Sequence, residues 1–96
     1  MGTLIFGKTA FKNVTNSSFT IQGSWGYESV VIYPDASIDA TMVATGEFGG
    51  VASDTVTIKA GSPPIPLESN NGLDGITITA PAGCNILLVL NSGNLG

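Results

Sequence analysis

A chain of 96 residues has room for one domain with one two-layer core. Charged residues make up 10% of it, against roughly a quarter in an ordinary soluble domain. Seven acids stand against three lysines (Lys8, Lys12 and Lys59) for a net charge of -4, which argues against nucleic acid and against docking on an anionic membrane.

No apolar run approaches the ~20 residues of a membrane span. The start, Met1-Gly2-Thr3-Leu4-Ile5-Phe6, lacks the basic head and long apolar region of a signal peptide. Cys84 is the only cysteine, so an intrachain disulfide and a thiol-rich metal site are excluded. At the start of an apolar strand it reads as a small buried hydrophobe. The chain fits folding in a reducing cytosol.

In chain order, Thr3 to Phe6 and Ala10 to Val14 read as short strands, the second ending in the polar turn Asn13 to Ser18. Ser18 to Gln22 alternates, with Phe19 and Ile21 inward. Gly23-Ser24-Trp25-Gly26-Tyr27 is a glycine-punctuated aromatic loop, and Ser29 to Tyr33 is an apolar strand stopped by Pro34-Asp35. Ser37 to Ala44 suits a strand through Ile38, Ala40 and Met42, with a short helix as the alternative. Gly46 to Ser53 is a loop. Asp54 to Gly61 alternates, with Val56, Ile58 and Ala60 inward. The three prolines of Ser62 to Glu68 confine that segment to a sheet edge, and Ser69 to Gly72 is a turn. The segment Asp54 to Ala60 lines up with Asp74 to Ala80, a likeness that the monotony of alternating strands accounts for better than an internal repeat.

The last third organises the rest. Ile76 to Ala80 and Ile86 to Leu90 read as two partnered strands joined by the tight connection Pro81-Ala82-Gly83. The first alternates Ile and Thr. The second, Ile86-Leu87-Leu88-Val89-Leu90, is apolar throughout and needs cover on both faces. One cover is the domain's own core; the other is expected to be a protein surface. The whole is read as an all-β chain, a single small antiparallel β-sandwich or jelly-roll-like domain of seven or eight short strands over residues 1–90. Residues 91–96 form a loose tail.

Chemistry is poorly provisioned. With no histidine, the usual proton carrier near neutral pH is missing. The carboxylates Glu28, Asp35, Asp39, Glu47, Asp54, Glu68 and Asp74 are scattered and form no calcium loop. No enzyme activity, cofactor or metal is expected. The exposed candidates are Trp25 and Tyr27, which suit a protein contact or a stacked sugar ring, set against a bland role of capping the open end of the core. The expected interface comprises Trp25, Tyr27, Ile65, Leu67, Ile86, Leu87, Leu88, Val89 and Leu90.

The segment Val56 to Gly61, then Pro66-Leu67, then Leu73 to Gly83 resembles the small β-sandwich virion proteins of tailed bacteriophages, which include head decoration proteins and fibre components. The likeness runs over roughly Asp54 to Leu90 and brings no functional residue with it. It implies a homo-oligomer on a virus particle, made in the host cytoplasm and partnered by its own copies and capsid proteins. A fibre or spike module that binds a host-surface glycan is the alternative.

Overall fold

The computed structural model describes residues 9–45, 54–69 and 72–92. Eight strands lie within them: β1 (Thr9–Val14), β2 (Ser17–Ile21), β3 (Ser29–Tyr33), β4 (Ala40–Ala44), β5 (Val56–Ile58), β6 (Ile65–Glu68), β7 (Ile76–Ala80) and β8 (Ile86–Asn91). They form two antiparallel four-stranded sheets, in the orders β1-β8-β3-β6 and β2-β7-β4-β5.

These orders follow from a single long ribbon rolled up on itself. Thr9 pairs with Asn91, Ser17 with Ala80, Ser29 with Glu68 and Ala40 with Ile58, so the partners' numbers add to nearly the same total each time. The first four strands therefore run antiparallel to the last four, nested around the connection between β4 and β5. Rolling the ribbon brings β8 beside β3 and β7 beside β4, which completes both sheets. This is the eight-stranded, two-sheet arrangement of a jelly roll.

Alternation places the core. Val30 and Ile32 of β3, Ile86, Leu88 and Leu90 of β8, and Ile21, Ile58 and Ile78 of the opposing sheet are all buried. Ile38 precedes β4 and still packs inward, so the strand reading of this region holds while the regular ladder begins at Ala40.

Four expectations need correction. Asn91, assigned to the loose tail, instead ends β8 and pairs with Thr9 and Ser29. Strands β7 and β8 are not partners. Pro81 to Asn85 carries the chain from one sheet to the other, because the ribbon must turn a corner there. Strand β5 is shorter than its alternation suggests: Val56 is 45% exposed, and the chain turns at Ala60, whose N–H is taken by the Asp39 carboxylate at 2.8 Å. The polar turn after β1 shrinks to Thr15-Asn16, with Asn13 and Val14 in β1 and Ser17 and Ser18 in β2. Asn16 takes the positive φ (48°) that lets so short a corner close. The two look-alike segments, Asp54 to Ala60 and Asp74 to Ala80, supply β5 and β7, which flank β4 on either side in the same sheet. The expected strand at Thr3 to Phe6 and the loop at Gly46 to Ser53 lie outside the described residues.

Candidate interaction surface

The two outer faces of the sandwich differ in chemistry. Across the β2-β7-β4-β5 sheet, Ser18, Thr79, Thr41 and Thr57 stand in register as one row of hydroxyls. Ser18 and Thr79 share a hydrogen bond of 2.8 Å, as do Thr20 and Thr77 in the next row. Across the β1-β8-β3-β6 sheet the corresponding row is Phe11, Val89, Val31 and Pro66. Beside it stand Asn13, Leu87 and Tyr33. Neither of these rows contains a charge. Phe11 is 71% exposed, Tyr33 41% and Leu87 37%. On the remaining row, Thr9, Asn91, Ser29 and Glu68 restore a polar margin, with a 2.8 Å hydrogen bond from the Thr9 hydroxyl to the Asn91 side chain.

The apolar face continues around the edge of β1 into a groove between the two sheets. Phe11, Ala10 and Lys12 of β1, Phe19 of β2, Trp25, Tyr27 and Leu90 line a space of about 320 Å³. Trp25 is brought there by one 3₁₀ turn, Gly23–Trp25, closed by Gly26 in the left-handed region. The turn is held by the segment that leads into β7, the strand paired with β2. Asp74, just before β7, accepts the Gly23 N–H, and the Leu73 N–H donates to the Tyr27 carbonyl at 2.7 Å. Glycine suits position 23, because a Cβ there would lie 2.7 Å from the Asp74 carboxyl carbon and would push that side chain away. So fixed, the Trp25 ring stacks on Phe19, with centroids 5.6 Å apart and planes 27° from parallel. The Lys12 ammonium sits 5.4 Å from the centre of the same Phe19 ring, a cation–π contact.

Compared with models of protein families, with curated proteins and with solved structures, the chain matches none of them. Its site is therefore read from its own geometry.

At the opposite end of the sandwich, Asp35 acts as a staple. Its carboxylate accepts the N–H groups of Ser37, Ile38 and Asn85 at 2.9–3.0 Å, tying the β3–β4 connection to the β7–β8 corner. These bonds hold its pKa below the ordinary carboxylate value, the Ser37 bond contributing most. Cys84 lies beneath that corner and donates to the Ile38 carbonyl at 3.4 Å. Burial pushes its thiol pKa up, and the carboxylates of Asp35 and Asp39 push it further, so it remains an unreactive thiol. Among the described residues no group of three His, Cys, Asp or Glu side chains converges.

The nine residues expected at the interface divide three ways. Leu87 and Val89 lie on the outer face, and Trp25 and Tyr27 meet in the groove. Ile86, Leu88 and Leu90 are corrected to the core: successive side chains of a strand point to opposite faces, so half of an apolar run is always spent inside. Ile65 and Leu67 pair with Ile32 and Val30 and also face the core, leaving Pro66 outside. Sequence reasoning missed Phe11, Val31, Tyr33 and Pro66 on the outer face and Lys12 and Phe19 in the groove. The signal that joins them is the register, which brings four separated segments into one row and exists only once the ribbon is rolled.

Proposed function

We propose that the protein is a structural component of a bacteriophage particle that decorates or stabilises the capsid. In this reading it packs against its own copies and against capsid protein through the outer face of β1-β8-β3-β6. It has no enzymatic role, needs no cofactor, and resides in the virion after synthesis in the host cytoplasm.

The observation that supports assembly is the uncharged row Phe11, Val89, Val31 and Pro66, set against the hydroxyl row on the other outer face. Two faces made by one ribbon share a geometry, so their difference in chemistry supports a reading in which one stays wet and the other is covered by a partner. The virion part rests on the likeness of Asp54 to Leu90 to small phage particle proteins. The jelly-roll architecture is compatible with it, being common in viral capsid and in lectin domains, though a fold does not choose a function. The glycan alternative gains an aromatic groove but lacks the carboxamide and carboxylate side chains that read sugar hydroxyls: Lys12, Tyr27 and the Trp25 indole N–H are the polar side-chain groups of its lining among the described residues.

The test is to purify particles with and without the protein and with a Val89→Lys variant. Loss of the protein, or its failure to join the particle as Val89→Lys, is expected to lower particle stability to heat. Particles of unchanged composition and stability would refute the reading. A glycan-array signal lost on Trp25→Ala with assembly intact would replace it with the fibre-module alternative.

A further inference from the structure

We propose that the edge of β1 left unpaired among the described residues accepts an extended peptide segment as an added strand, which seats one apolar side chain in the aromatic groove and one carboxylate at Lys12. The inference stands apart from the oligomer reading, with which it shares only Phe11.

The four sheet edges are not equivalent. On one side of the sandwich, β6 carries Pro66 and β5 is three residues long, and both features discourage pairing. On the other side both edges lack proline, β2 over five residues and β1 over six, and of the two β1 supplies more of the groove lining, through Ala10, Phe11 and Lys12. Along such a strand every second residue turns its N–H and C=O away from the neighbour, and no strand among the described residues pairs with β1 on that side. Backbone groups presented in a row are matched best by another backbone, which selects a peptide over a small molecule.

The groove supplies specificity. A strand added beside β1 would lie about 4.8 Å from it, over the opening between β1 and β2. Its alternate side chains would then project toward Phe19, Trp25 and Tyr27, which line that opening. Lys12 is the one charged side chain among the described residues that line it, and its ammonium over Phe19 can be shared with a carboxylate two positions along the added strand. The segment that fits is therefore an extended one with an apolar, preferably aromatic, residue at one position and an acid two residues away. The competing role for Lys12 is a guard: a charge on the inward side of an edge strand deters unwanted pairing.

The probes are synthetic peptides of about eight residues, alternating Thr and Val. The parent has Phe at a central position and Asp two residues on. A second peptide has Lys for Asp, and a third is N-methylated on the amides of one edge, with a fourth methylated on the other. Trp25, the single tryptophan, reports the groove by its emission, and amide exchange reports β1. The parent is expected to shift Trp25 emission saturably and to protect β1 amides. The Lys peptide should bind about fivefold more weakly, the scale of an exposed ion pair, and Lys12→Met should remove that difference. Methylation of one edge should abolish binding while the other is tolerated. Equal binding by both methylated peptides would overturn the strand-addition geometry. Peptides that leave Trp25 and β1 unchanged up to millimolar, with Lys12→Met only increasing self-association, would assign Lys12 the guard role and end the proposal.

Discussion

Two neighbouring leucines on β8 provide a sharp comparison. Leu88 is 0% exposed and Leu87 is 37% exposed, although they are chemically identical and adjacent. Truncating Leu88 to alanine removes buried methyl groups and leaves a cavity, a loss of about 3–5 kcal/mol. That is roughly a fifth or more of the stability of a typical small domain, and it corresponds to roughly 15–30 °C in Tm at this size. Truncating Leu87 forfeits only the covered part of its surface within the chain, about 1 kcal/mol or roughly 5 °C. The assay is denaturant unfolding of both variants at two widely separated protein concentrations. The Leu88→Ala loss should be the same at both. The Leu87→Ala loss should grow at the higher concentration, where the proposed association would stabilise the parent more than the variant. Equal, large and concentration-independent losses would mean that β8 is covered on both faces by its own chain, and the reasoning from alternation would fail.

Three further outcomes follow from the loops. Gly23→Ala should cost about 1–3 kcal/mol through overpacking against Asp74, and by displacing the 3₁₀ turn it should shift Trp25 emission to the red; an unchanged emission spectrum would detach Trp25 from that turn. Asp35 has a folded pKa below its ordinary value of 3.8, so its contribution is complete above that value and is lost as pH falls through the lower folded pKa. Acid titration of stability should therefore fall less steeply below about pH 4 in Asp35→Asn than in the parent, and identical slopes would deny the staple. Cys84 should react with a thiol reagent only at the rate of unfolding, since its thiol is buried and its pKa is raised; rapid labelling of the folded chain would contradict its placement.

The strands themselves were legible because period-two alternation needs no partner. Phe19 and Ile21, or Ile76 and Ile78 between threonines, declare their inward face locally. Pro66 likewise announced an edge through its missing N–H, and the structure places β6 there. What could not be read was pairing. The sequence neighbours β7 and β8 invite a hairpin, but the rolled ribbon sends them to opposite sheets and pairs β8 with β1 and β3 instead. For the same reason Leu87 and Val89 were visible as an apolar excess, while Phe11, Val31 and Pro66, which complete their surface, were not. Ile86, Leu88 and Leu90 look identical to their neighbours in the sequence and are separated from them only by the direction of the side chain. The groove depends on a tertiary bond, Asp74 to the Gly23 N–H, between residues that nothing in the sequence links.

Sedimentation equilibrium of the purified chain, run beside Val89→Lys, asks whether the outer face of β1-β8-β3-β6 joins copies of the chain. The parent mass is expected to be a multiple of 9.7 kDa, and the Val89→Lys variant to sediment as the single chain with the same circular dichroism. A parent that stays at 9.7 kDa up to millimolar concentration, indistinguishable from the variant, would contradict the assignment of the Phe11, Val89, Val31 and Pro66 face to contacts between copies.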